Sequence, residues 1–146
     1  NVVDAACGSR FYNFEKTKDG GTTWTEVNGD PFDQNTGVAE GLLFFTNDFG
    51  FAGLTYASED FSMLYVTKDG GETFERLELP LDTVTELPSE AEELGFTIED
   101  YDYHTMPQIV DGKMEIYLQT DAMEQQGIIF QSGDNGVTWE YAGCKE

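Results

Sequence analysis

Apolar residues along this chain come in short runs, and turn formers separate them. The cleanest run is 113–120. There Met114, Ile116 and Leu118 fall on one face and Glu115, Tyr117 and Gln119 on the other. That period of two marks a half-buried strand. A buried-strand run at 40–46 precedes a turn at Asn47–Asp48, and 49–56 follows with Phe49, Phe51, Gly53 and Thr55 on one face. Further strands are expected at 2–8, 10–17, 22–27, 63–67, 73–79, 104–110, 128–132 and 138–142. Asn28–Gly29–Asp30–Pro31 and Asp111–Gly112 are turn signals. Segments 32–37, 57–60 and 121–126 read as loops or turns. One short helix is expected at 89–95, where Ser89 and Glu92 make a capping-box pair and Gly95 a C-terminal stop. Short strands about ten residues apart make the expected class all-β.

One word recurs in the turns. It reads Thr17–Lys18–Asp19–Gly20–Gly21–Thr22–Thr23–Trp24, then Thr67–Lys68–Asp69–Gly70–Gly71–Glu72–Thr73–Phe74, then Ser132–Gly133–Asp134–Asn135–Gly136–Val137–Thr138–Trp139. The spelling has a physical reading. The Asp side chain accepts from nearby backbone N–H groups and closes an Asx-type turn. Gly21, Gly71 and Gly136 fill positions that a side chain would obstruct, at positive φ. Hydroxyls of Thr17, Thr23, Thr67, Thr73, Ser132 and Thr138 tie the hairpin arms together. Trp24, Phe74 and Trp139 are then expected to project into a layer between neighbouring sheets and bury there.

These residues resemble the Asp-box, or BNR repeat, of sialidases, sortilin-like receptors and related β-propeller proteins. The resemblance implies four-stranded antiparallel blades, and about three of them here, as a partial or half propeller. The units would be 1–36, 37–80 and 104–146 of a single domain, with an insertion at 81–103. Asp69 stands 50 positions after Asp19 and Asp134 stands 65 after Asp69, and repeats of this kind run about 40–50 residues. Propellers close with about 4–8 blades. The chain is therefore expected to be a fragment of a longer propeller, a homodimer that completes a ring, or an open arrangement. The resemblance also implies that the box carboxylates are fold staples. It argues against sialidase activity, since that family holds its substrate with an arginine triad and this chain has only Arg10 and Arg76.

Charge narrows the partners. The chain carries 29 acidic residues against 7 basic ones, a net charge of −22. Such a surface repels nucleic acid and anionic membranes, and no apolar run is long enough to span a bilayer. The expectation is an extracellular, secreted or cell-surface protein of bacterial type. The chain opens on Asn1 and not Met, as a processed chain or a piece of a longer one would. Cys7 and Cys144 lie near opposite ends and are candidates for a disulfide. Two free buried thiols are the alternative.

Candidate chemistry is sparse. Two carboxylates are needed for glycoside hydrolysis. Asp100 with Asp102, or Asp48 with Asp60, fit that requirement without distinguishing context, so no catalytic residue is assigned. Tyr56, Tyr65, Tyr101, Tyr103 and Tyr117 offer stacking faces, with Tyr101 and Tyr103 in the insertion the chosen ligand surface. Glu99, Asp100 and Asp102 are a weak calcium candidate; otherwise no cofactor is expected. His104 has no Ser or Cys partner at recognisable spacing. The functional expectation is a non-catalytic module that binds a glycan or a protein. The alternative is a portion of a glycoside hydrolase completed by missing blades or a second chain.

Overall fold

The computed structural model describes residues 1–6, 8–56, 61–120 and 126–145. Strands take 46% of it and helical turns 7%, in antiparallel sheets of 2–5 strands that close no barrel. The all-β class is therefore what the backbone adopts, with one lone short helix in the insertion. The described residues divide into two compact units. One runs up to Leu77 without 61–62; the other is 61–62 with Glu78 onward.

In the first unit, β1 (Val2–Ala6) pairs with β2 (Ser9–Tyr12), and β3 (Phe14–Lys16) pairs with β4 (Thr25–Asn28). The run 10–17, read as one strand, is divided at Asn13. Its buried side chain is tied to Glu15 and Glu26. Then β5 (Val38–Phe44), β6 (Gly50–Thr55), β7 (Ser62–Thr67) and β8 (Glu75–Arg76) form a four-stranded sheet in that order. Strand β6 was expected to show one apolar face. It is instead buried on both, with Phe51, Ala52 and Leu54 all at 4% exposure or less, because it is a central strand of the sheet.

The core of this unit is Phe32, Ala52, Leu54, Met63 and Tyr65, with Tyr12, Tyr56 and Phe74 against it. Phe32 comes from the segment read as loop. It is edge-on to Tyr12 at 5.7 Å and to Tyr65 at 5.1 Å. Burying a side chain of that size contributes about 1.5–3 kcal/mol, so this loop residue is a core residue.

The second unit holds α1 (Ala91–Leu94), β9 (Tyr103–His104), β10 (Gln108–Val110), β11 (Lys113–Gln119), β12 (Gly127–Ser132) and β13 (Glu140–Lys145). Its sheet runs β10-β11-β12-β13, with β9 also on β11. The strand expected at 104–110 is thus split around Pro107, which has no N–H to give to the ladder. Thr105 bridges the gap: its N–H donates to Tyr117 O at 3.0 Å and its hydroxyl accepts from Tyr117 N–H at 3.0 Å. Asp111 and Gly112 both have positive φ, 50° and 80°, as a two-residue primed hairpin turn requires. Met114, Ile116 and Leu118 are buried, as the alternation read from the sequence requires, and Ile128 and Phe130 of β12 are buried too.

Helix α1 starts later than expected, with Glu90 at the N-cap and no side-chain cap bond. The N-cap position thus falls one residue after the expected Ser89. Gly95 does end the helix, at φ 75°. A capping box lies further on, at Thr97 and Asp100, where it opens a single 3₁₀ turn, Ile98–Asp100. None of the helices described is long and apolar enough to cross a membrane.

Candidate functional site

The three repeated turns use one hydrogen-bond set. In the first, Thr17 Oγ1 donates to Asp19 Oδ1 at 2.8 Å and accepts from Gly21 N–H at 2.9 Å. Thr23 closes the loop: its N–H donates to Asp19 Oδ1 at 2.8 Å and its hydroxyl to Oδ2 at 2.6 Å. Thr67, Asp69, Gly71 and Thr73 repeat the four bonds at 2.9, 2.8, 2.9 and 2.5 Å. Ser132, Asp134, Gly136 and Thr138 repeat them at 2.8, 2.7, 2.8 and 2.6 Å. Gly21, Gly71 and Gly136 have φ of 93°, 91° and 82°.

Hydrogen bonds to an ionised carboxylate favour its charged form. The hydroxyl and backbone N–H of Thr23 hold Asp19 at about 2, those of Thr73 hold Asp69 at about 2, and those of Thr138 hold Asp134 at about 2. A general acid at neutral pH needs the opposite shift. These carboxylates are spent on their own turns.

The aromatic that ends each turn behaves differently from one copy to the next. Phe74 is partly buried against the first core, edge-on to Phe14 at 5.5 Å, and Trp139 is half-buried. Trp24 is not the expected buried wedge, since 59% of it is exposed. Its indole N–H instead folds back onto Gly21 O at 3.1 Å.

The insertion does not present the tyrosine surface expected of it. Tyr101 is 1% exposed, so its ring has no face for a ligand; Tyr103 is half-buried in β9. Tyr65 is 2% exposed and belongs to the first core, its hydroxyl bonded to Asn35 and Phe32. Glu99, Asp100 and Asp102 are exposed and do not converge on a cation. Asp100 Oδ2 is used instead as a cap, accepting from Thr97 N–H at 2.7 Å and Thr97 Oγ1 at 3.0 Å. Among the described residues, no three His, Cys, Asp or Glu side chains are placed to hold a metal ion.

His104 lies beside a serine, Ser62, that is 42 positions away in the chain and carries no spacing signal of its own. The Ser62 hydroxyl, however, bonds the backbone of His104, accepting from its N–H at 2.6 Å and donating to its O at 2.9 Å. The ring Nδ1 lies 3.1 Å from Ser62 O and 3.2 Å from Asp102 O. That geometry fixes a chain crossing and does not activate a nucleophile. Cys144 lies in β13, with Sγ 3.3 Å from Glu86 O. Cys7, its expected partner, and Asp60, one of the paired-carboxylate candidates, lie outside the described residues.

Two features escaped the sequence reading. On the polar face of β11, Glu115 is only 6% exposed. It accepts from the Tyr117 hydroxyl at 2.7 Å and from Gln131 Nε2 at 2.5 Å. The Glu115 hydrogen bond, then burial, pushes the Tyr117 phenol up from its ordinary value. The second feature is a cavity of about 250 Å³ in the first unit, walled by Tyr12, Phe14, Phe32 and Phe74, with Asn13 and Leu42 among its lining. Its walls come from six separate stretches of chain, so no local spacing could have announced it.

No family model, no curated protein and no solved structure matches the chain.

Proposed function

We propose that this chain is a secreted or cell-surface binding module built on Asp-box-type repeats, and that it recognises carbohydrate through Trp24. The observation that carries the reading is the exposed indole. A ring 59% open to solvent, with its N–H fixed to its own turn at 3.1 Å, is a flat platform set before the ligand arrives. Little rotamer freedom is left to lose on binding. A pyranose ring presents an apolar face to such a platform. The repeats serve as scaffold, which agrees with the inward bonding of Asp19, Asp69 and Asp134.

The test is a glycan array followed by titration of the best oligosaccharide, read on the Trp24 indole N–H resonance. Wild type is expected to saturate, and Trp24→Ala to bind at least about ten-fold more weakly, near 1.4 kcal/mol. An array without hits, or a hit that Trp24→Ala leaves intact, sinks the proposal. Turnover of a bound glycan would favour the hydrolase alternative.

A further inference from the structure

Five aspartate or asparagine residues stand directly before a glycine: Asp19, Asn28, Asp69, Asp111 and Asn135. In a free chain that pairing is reactive, because the glycine nitrogen, unshielded by a Cβ, reaches the preceding side-chain carbonyl carbon. The structure restrains four of the five. The carboxylates of Asp19 and Asp69 are tied by the N–H and hydroxyl of Thr23 and of Thr73, so they are not free to turn onto the next nitrogen. Asn28 is tied at both ends of its amide: Nδ2 donates to Glu72 O at 3.1 Å and Oδ1 accepts from Asp30 N–H at 2.7 Å. After Asn135 the attacking nitrogen is occupied, since Gly136 N–H donates to Ser132 Oγ at 2.7 Å.

Asp111 and Gly112 carry no such restraint. Both are exposed. Among the described residues the Asp111 carboxylate has no hydrogen-bond or ion-pair partner, and no turn bond uses the Gly112 N–H. A Cβ built on Gly112 would meet nothing within 4 Å, so the approach is clear. The turn must open to bring the two groups together, and little opposes that. Its outer arm is β10, three residues at the edge of the sheet paired with β11 alone. Gln108 is exposed, and Ile109 is 57% exposed. Segments with few buried apolar contacts open at low free energy.

We propose that Asp111–Gly112 is a modification site, where the chain rearranges spontaneously to an isoaspartyl link and so releases β10 from the sheet. Gly112 N bonds to Asp111 Cγ. Water leaves with one carboxyl oxygen, its proton and the amide hydrogen, closing a five-membered succinimide. A second water adds at the main-chain carbonyl carbon of Asp111 and breaks its bond to Gly112 N, leaving that carbon as the new carboxylate. The chain then runs through Cβ and Cγ and is one methylene longer, with no net gain or loss of atoms. A two-residue primed turn needs both central residues at positive φ, as Asp111 and Gly112 are at 50° and 80°. The longer link does not fit that turn, so the pairs Gln108–Glu115, Ile109–Met114 and Val110–Lys113 are lost. Strand β11 keeps its place through β12 and β9. The site does not include Trp24, and it stands or falls separately from glycan recognition.

The experiment incubates the full wild-type chain in heavy-oxygen water, digests it in ordinary water and maps the peptides by mass. Each passage through the succinimide leaves one heavy oxygen at the aspartate, and electron-transfer fragmentation locates the isoaspartyl link. Label is expected at Asp111 at least about ten-fold faster than at Asp19 or Asp69, a barrier difference of about 1.4 kcal/mol. In concentrated urea the three Asp–Gly pairs are expected to converge, because the fold and not the dipeptide sets the difference. Hydrogen exchange on the separated isoaspartyl form should find the amides of β10 unprotected and those of β12 protected as before. Equal labelling of the three pairs in the folded chain overturns the proposal, as does a gap that persists in urea. So does an isoaspartyl form in which β10 keeps its protection.

Discussion

Gly21 and Gly71 occupy the same position of the same turn, with φ of 93° and 91°, and an alanine at each should have very different consequences. At Gly21 an added Cβ meets only Trp24 Cζ2 at 3.8 Å, an ordinary contact. The cost there is backbone strain alone, about 1–3 kcal/mol for a non-glycine residue in this region. At Gly71 the same Cβ would lie 2.1 Å from Phe14 Cε1 and 2.5 Å from Cδ1. Moving Phe14 aside would break its stacking on Phe44 at 5.7 Å and its edge-on contact with Phe74 at 5.5 Å. Forcing atoms into a filled site adds about 1–3 kcal/mol, which brings Gly71→Ala to about 2–6 kcal/mol in all. Both glycines belong to the first unit, so one unfolding transition reports both. The assay is urea denaturation of the two variants and wild type, followed on amide resonances of β6, with the m-value checked for constancy. In a Phe14→Leu background the cost of Gly71→Ala should fall toward that of Gly21→Ala, a coupling visible in the double-mutant cycle. If the two single variants agree within about 0.5 kcal/mol, the limit of ordinary additivity, steric conflict with Phe14 is not what holds Gly71 in place.

Three further outcomes are expected. Asp19, Asp69 and Asp134 sit at about 2 in the folded chain against an ordinary 3.8, so the unfolded chain binds protons first. Their contribution is complete above the ordinary value and is lost as pH falls through 3.8 toward 2. Melts from pH 7 to pH 2 should show this decline, and the triple Asp→Asn variant should show a shallower one; an unchanged slope would refute the role given to these bonds. Asp100→Ala removes the Thr97 cap and should cost about 0.5–2 kcal/mol, while Glu99→Ala stays near zero and calorimetric titration with calcium stays flat. Binding heat that Asp100→Ala abolishes would restore the cation reading. Light scattering with and without reductant tests the homodimer: a mass near twice 16.3 kDa supports two chains completing one assembly, and a monomer at every concentration removes it.

Much of the scaffold was legible because its causes are local. Alternation at Met114, Ile116 and Leu118 predicts which face is buried, since the period of a strand is fixed by backbone geometry. The Ser/Thr-x-Asp-x-Gly-x-Thr spelling predicts its own hydrogen bonds, since every partner lies within a few residues. Asp111–Gly112 and Gly95 announce positive φ for the same reason. Tertiary structure decided the rest. Whether Trp24, Phe74 and Trp139 are covered depends on what other segments bring against them, and the three like spellings do not end with the same exposure. Tyr101 and Phe32 read as surface and loop but are buried, because burial is a property of neighbours distant in sequence. Asn13 draws Glu15 and Glu26 together, and the cavity it lines is built from six stretches of chain. Sequence alone thus determined the turns and the strand faces, where the interacting groups are neighbours along the chain. Only the fold decided which of the exposed and buried groups are free to meet a ligand.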